Sequence, residues 1–132
     1  MPKIFVTGCL HGSWDLLIDT VEKLIRDGTN IELILVNGDA QTFRKEEDML
    51  SFAAPKKYHL MGSFYKIASG ERKVPCPVVL ISGNHEAMDL VFQLPFGGYI
   101  APNVYYMGRG GQLLVGDILI SGISGLYKSG EY

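Results

Sequence analysis

Three short apolar runs in this chain end in the same way, and that repetition restricts the fold more than any other feature. Lys3 to Thr7, with Ile4-Phe5-Val6 at its centre, opens into Gly8-Cys9-Leu10-His11-Gly12. Leu33 to Val36 opens into Asn37-Gly38-Asp39, and Val78 to Ile81 is followed by Gly83-Asn84-His85-Glu86 after one serine. Runs of this length, rich in β-branched and aromatic residues, form strands. A strand that stops at a glycine and then releases a thiol, an imidazole, a carboxylate or an amide is built to present polar atoms at the edge of a sheet. With the three strands side by side and parallel, Cys9, His11, Asp39, Asn84 and His85 emerge together at their carboxyl ends, where open α/β sheets bind ligands.

The intervening segments fit that arrangement. Ser13 stands as an N-cap, Leu17, Val21, Leu24 and Ile25 recur at helical spacing, and Gly28 is placed to stop the helix. Ile31 to Val36 is a near-continuous apolar run broken only by Glu32, which suits a strand covered on both faces. The opening is therefore a βαβ unit, expected to be right-handed. Beyond Asp39, helical character covers residues 43–54 up to Pro55, then 61–68, then 87–94 up to Pro95. A strand is expected at Val104 to Met107, and Gln112 to Val115 and Ile118 to Ser121 flank a hairpin turn at Gly116-Asp117. No internal repeat or linker divides residues 1–132, so one domain is expected.

A formal charge of −2 gives no blanket attraction to nucleic acid or to an acidic membrane. A polyanion would have to meet a local patch, and Lys56, Lys57, Lys66, Arg72 and Lys73 gather against one acid, Glu71, with Tyr58, Phe64 and Tyr65 among them. Basic side chains beside stacking aromatics suit single-stranded nucleic acid; a solvated loop with core aromatics is the equal alternative. Met1-Pro2-Lys3 leads straight into a strand, and no apolar run approaches the ~18 residues of a membrane span. An intracellular protein with Cys9 and Cys76 reduced is the expectation.

Each polar residue has a chemistry to offer. A carboxylate at a strand end, Asp39, can bridge two cations about 3.5–4 Å apart through its separate oxygens, or it can cap a turn. His11 lies two residues after Cys9; a thiolate there favours a borderline ion such as Zn²⁺ or Fe²⁺ over Mg²⁺, while a thiol could equally decline to bind and leave that pocket weak. Asn84 offers a neutral oxygen, which leaves His85 as a general acid or a hydrogen-bond donor to a phosphate. Glu86 reads as an orienting group or a helix cap, and His59 as structural.

In order and spacing, Cys9-Leu10-His11-Gly12, Gly38-Asp39 and Gly83-Asn84-His85-Glu86 resemble the first three motifs of the calcineurin-like metallophosphoesterases, which usually carry Asp where Cys9 stands. The cysteine, together with Pro55-Lys56-Lys57-Tyr58, Leu94-Pro95-Phe96-Gly97-Gly98, Ala101-Pro102-Asn103-Val104-Tyr105-Tyr106 and Gly122-Ile123-Ser124-Gly125, resembles the RNA-lariat-debranching family. That resemblance implies an α/β fold, a metallophosphoesterase-type β-sandwich flanked by helices, of which residues 1–132 form the N-terminal part. It implies hydrolysis of the 2′,5′-phosphodiester of branched lariat RNA, one or two divalent ions (Mn²⁺, Zn²⁺ or Fe²⁺), nuclear residence, no membrane and no stable protein partner. Cys9 and His11 would hold one ion, Asp39 would lie between two, Asn84 would hold the second, and His85 would act at the phosphate. The family's later Gly-His and Gly-His-x-His motifs have no counterpart here, since the three histidines are His11, His59 and His85. A fragment or truncated product with little activity of its own, and with apolar surface left uncovered, is therefore expected.

Overall fold

The computed structural model describes residues 3–8, 10, 12–38, 40, 62–82 and 96–124. In chain order the elements are β1 (Lys3–Thr7), α1 (Trp14–Arg26), β2 (Ile31–Asn37), α2 (Phe64–Ser69), β3 (Val78–Ile81), β4 (Gly98–Ala101), β5 (Val104–Tyr106), β6 (Gly110–Val115) and β7 (Ile118–Ile123). The first five strands form one sheet in the order β1-β2-β3-β5-β4, and β6-β7 form a separate two-stranded sheet. β1, β2, β3 and β5 run parallel, while β4 turns back antiparallel to β5.

The central strands are apolar on both faces because both faces are covered. Alternate residues of β2, β3 and β5 (Ile34 and Val36, Val78 and Leu80, Val104 and Tyr106) meet the helices, packing with Trp14, Leu17, Ile18 and Val21 of α1 and Phe64 and Ile67 of α2. On the opposite face, Leu33, Val79 and Tyr105 are turned to the hairpin and pack with Leu113, Val115 and Ile120. This two-sided burial explains why the runs show little polar alternation. The hairpin covers only part of its face: an apolar groove of about 880 Å³ remains beside it, lined in part by Val6, Leu35, Ile81 and Ile123. Val6 is 63% exposed and Ile123 80%, the uncovered surface expected from the sequence.

Several local expectations change. Ser13 precedes α1 but makes no capping bond with its side chain; the Asp15 N–H donates instead to Ser63 Oγ at 2.9 Å, a cap supplied from 48 residues away. The helix expected over 61–68 is the shorter α2, closed by Gly70 in the left-handed conformation. The β6-β7 turn has a positive φ at Gly116 and none at Asp117, the glycine-first order of a type II′ turn. The helices expected at 43–54 and 87–94 lie outside the described residues.

β4 was not expected, because its sequence begins with glycines rather than a β-branched run. Gly98 pairs with Tyr106 and Tyr99 with Tyr105, and the Tyr99 and Tyr105 rings meet edge-on at 5.2 Å. Gly97 explains how the chain enters: its φ is +89°, and a Cβ there would lie 2.5 Å from the Tyr106 carbonyl oxygen. Gly70 is a natural control, with φ +86° but nothing within 4 Å of a built Cβ. In chemical denaturation, Gly70→Ala should cost the left-handed penalty of about 1–2 kcal/mol, and Gly97→Ala a further ~1–3 kcal/mol for overpacking.

Candidate metal centre

Parallel pairing brings the three motif-bearing loops to one edge. Thr7 pairs with Val36 and Val36 with Leu80, so these three residues lie in line across β1, β2 and β3. Cys9 follows that line by two residues, Asp39 by three and Asn84 by four. Neighbouring strands are about 4.8 Å apart, so the three loop bases span roughly 10 Å. Cys9, His11, Asp39, Asn84 and His85 themselves lie outside the described residues; the structure fixes the residues that flank them. Among the described residues no cluster of His, Cys, Asp and Glu could hold a metal.

The flanks are stitched together rather than merely adjacent. Past β2, the carbonyl of Ala40, a residue with no exposed surface, accepts the Gly12 N–H at 3.2 Å and the Trp14 indole Nε1–H at 3.0 Å. The loop after β1 is thus tied to the loop after β2. Gly12 in turn is held from the other side: its carbonyl oxygen accepts the Ser63 N–H at 2.9 Å and the Ser63 hydroxyl at 3.1 Å. At the base of the first loop, a Cβ on Gly8 would lie 3.3 Å from the Asn37 carbonyl oxygen. The third loop is anchored at Ser82, a buried polar residue whose hydroxyl lies 3.5 Å from that of Tyr106.

Behind this edge lies an ion-pair network that the basic-patch reading did not foresee. Asp15, Asp19 and Glu22 project from α1 at helical i, i+4, i+7 spacing, and the Arg72 guanidinium reaches all three: Asp15 Oδ1 at 2.7 Å, Glu22 at 3.2 Å, and Asp19. Lys66 Nζ pairs with Asp15 Oδ2 at 2.9 Å. Two of the five cations expected to face a polyanion are therefore engaged within the fold, where they bind α2 and the chain beyond it to α1. Phe64 is fully buried against Trp14, with ring centroids 5.0 Å apart, so it is a core residue and not a stacking platform. Lys56, Lys57 and Tyr58 lie outside the described residues. The pairing with Lys66, then with Arg72, holds the Asp15 carboxyl below its usual range; the hydrogen bonds that Arg72 donates to Asp19 and Asp15 push its own pKa further up. Cys76 is a free thiol, raised by burial.

Sequence reasoning passed over three of these groups. Trp14 could have been noticed as the single tryptophan, next to a glycine loop. The acidic stripe was visible as i, i+4, i+7 spacing on α1 without a stated partner. Ser63 carried no signal, because its partners Gly12 and Asp15 are about fifty residues away.

The model of the calcineurin-like phosphoesterase family matches residues 2–131. Lariat debranching enzyme A of Xenopus laevis is 45% identical over 131 residues, covering 98% of this chain and 24% of the relative. The lariat debranching enzymes of Drosophila melanogaster and Homo sapiens are 45% and 41% identical over the same length, with 24% of each covered. The chain thus spans about a quarter of the length of these curated relatives.

The ion-pair network carries two expectations for stability. Arg72→Ala should lower the unfolding free energy by about 1 kcal/mol, the upper end for exposed pairs, because one guanidinium serves three carboxylates. The folded carboxyl of Asp15 titrates below the 3.8 of an unperturbed aspartate. Its contribution is therefore complete above that value and disappears as the pH falls through the lower, folded one. Asp15→Asn should flatten the acid limb of a stability–pH curve below about pH 4.

Proposed function

This chain belongs to the calcineurin-like phosphoesterase family, and from that premise we propose that it supplies much of the metal centre of an RNA lariat debranching phosphodiesterase. The substrate is the 2′,5′-phosphodiester at the branch point of an excised intron, and the product is linear RNA. The observation that carries this reading is the adjacency of β1, β2 and β3 as parallel neighbours with the register given above, which brings the three motif loops to one edge. The similarity to lariat debranching enzymes over nearly the whole of this chain supports the choice of substrate.

A divalent ion held at such a centre supplies Lewis acidity towards the phosphate and a water of lowered pKa. The chain's own residues do the rest. Cys9 and His11 would hold one position, Asn84 would hold the second, and the Asp39 carboxylate would serve both. His85 donates to the leaving 2′ oxygen or to a non-bridging phosphate oxygen, and Glu86 orients the loop that presents it. The thiolate biases the first position towards Zn²⁺, Fe²⁺ or Mn²⁺ and away from Mg²⁺. Because the substrate arises in splicing, the nucleus is the expected compartment.

The test is a comparison of 2′,5′-branched with 3′,5′-linear RNA in the protein that carries this chain. Branched RNA should be cleaved selectively, and Asp39→Ala and Asn84→Ala should each lower kcat by more than the ~100-fold that an outer-shell change can cost. Equal cleavage of both linkages, or a preference for phosphomonoesters, would place the chain with other metallophosphoesterases. Salt-dependent RNA binding without turnover would instead mark a binding module. Chelation followed by restoration of Mn²⁺, Zn²⁺ or Fe²⁺ should abolish and then recover turnover.

A further inference from the structure

In the motif Gly122-Ile123-Ser124-Gly125, Gly122 and Ile123 end β7 of the second sheet and Ser124 follows it; no candidate ligand lies within the motif. Its described residues nevertheless reach the exit of β3. A Cβ on Gly122 would meet Ile81 Cγ2 at 2.9 Å and Met107 Sδ at 3.1 Å. Only a glycine lets β7 approach the main sheet this closely without displacing those side chains. Two residues later the chain delivers a hydroxyl. Ser124 Oγ accepts the backbone N–H of Ser82 at 3.1 Å and donates to the Gly108 carbonyl at 2.5 Å. The Ser124 N–H donates to the Arg109 carbonyl at 2.8 Å, which holds the serine in place.

The location gives these bonds their meaning. Within the sheet, β3 and β5 are joined by backbone bonds, the last described one running from the Met107 N–H to the Leu80 carbonyl at 3.0 Å. Further along, Ser82 and Gly108 have left the strands, and the Ser124 hydroxyl spans the gap as a one-atom splice between them. Ser82 is 5% exposed, and a buried N–H without a partner costs roughly 1–3 kcal/mol. The next four residues are Gly83-Asn84-His85-Glu86. The residue whose N–H Ser124 holds is thus the last described one before the segment carrying the second-position ligand and the proposed acid. The Tyr106 hydroxyl, 3.5 Å from Ser82 Oγ, steadies the same residue from its side chain.

We infer that Ser124 is a positioning residue for the metal centre: its hydroxyl fixes the exit of β3 and thereby the placement of Asn84 and His85. The inference rests on the metallophosphoesterase reading but not on the identity of the RNA substrate. A splice from the second sheet also makes the centre dependent on contact between the two sheets, so the hairpin β6-β7 acts on the chemistry through one hydroxyl.

The test uses the protein that carries this chain, with Mn²⁺ or Zn²⁺ alone as the calorimetric probe and bis(p-nitrophenyl) phosphate as a substrate that needs no RNA contacts. Ser124→Ala should weaken the binding of the weaker ion by about 10–100-fold, the range for an outer-shell change. It should lower kcat by a similar factor and leave KM within about twofold of wild type. Ser124→Cys keeps the volume but offers only a weak donor and acceptor, so it should behave like alanine while remaining folded. Ser124→Thr keeps the hydroxyl and should recover most of both losses. Wild-type ion affinity and kcat in both the alanine and cysteine variants, with only the melting temperature lowered, would overturn the inference. If the wild-type protein itself bound neither ion, the metal-centre reading would fall and this inference with it. If it bound ions and cleaved the small ester but not branched RNA, only the substrate assignment would be lost, and the serine variants would still decide the positioning role.

Discussion

The parallel ladder through β1, β2 and β3 is the constraint on which the other features of this molecule depend. Parallel strands cannot be joined by tight turns, so each must leave the sheet at its carboxyl end and return by a crossover. Strands covered on both faces have few exposed positions along their length for polar side chains. The polar groups of this segment are therefore concentrated where the strands stop. In the register seen here, Thr7, Val36 and Leu80 lie in line, and the first residue capable of ligating a cation follows within four residues on every strand. A register shift of one residue would turn each strand's side chains to the opposite face, so the hydrophobic packing that fixes the sheet also fixes the spacing of the loops.

Beyond the ladder, the loops are held by single polar groups at their exits. Ala40 offers one carbonyl to two donors, Gly12 N–H and the Trp14 indole. Ser63 grips Gly12 and caps α1 in the same act, while Ser124 bridges Ser82 and Gly108 from the second sheet. Each of these groups comes from a different part of the chain. Loops that carry ligands are otherwise the least constrained elements of a fold, and a hydrogen bond at a loop base limits the directions in which the residues beyond it can leave. Outer-shell bonds of this kind orient ligands without touching the ion.

The charged residues of the described region serve assembly more than recognition. Arg72 has a planar array of five donors and uses it on three carboxylates of one helix stripe. That arrangement fastens α2, and with it Ser63, onto α1. A cation held among three acids has little field left for a phosphate backbone. Contact with a polyanion would therefore fall to groups other than Lys66 and Arg72. On the opposite face, the incomplete cover of the main sheet leaves Val6 and Ile123 in solvent. That apolar surface is the clearest physical sign that the hairpin alone does not complete the second layer.

The sequence by itself determined the three strands, α1 and the hairpin, and with them the side-by-side strands that the motif segments follow. These follow from local composition: β-branched runs, helical spacing and glycine stops are written within a dozen residues of where they act. The family could be read for the same reason, since its motifs sit at strand ends that are themselves locally encoded. Only the tertiary structure decided that Ser63 rather than Ser13 caps α1, that Arg72 and Lys66 are engaged within the fold, that Gly97 and Gly98 lead into a strand, and that Ser124 splices the exit of β3. In these cases the deciding partner is distant along the chain or lies on an adjacent strand. A hydroxyl, a guanidinium or a glycine is neutral about its role until packing supplies the group it must meet, and that meeting is settled by the shape of the assembled core.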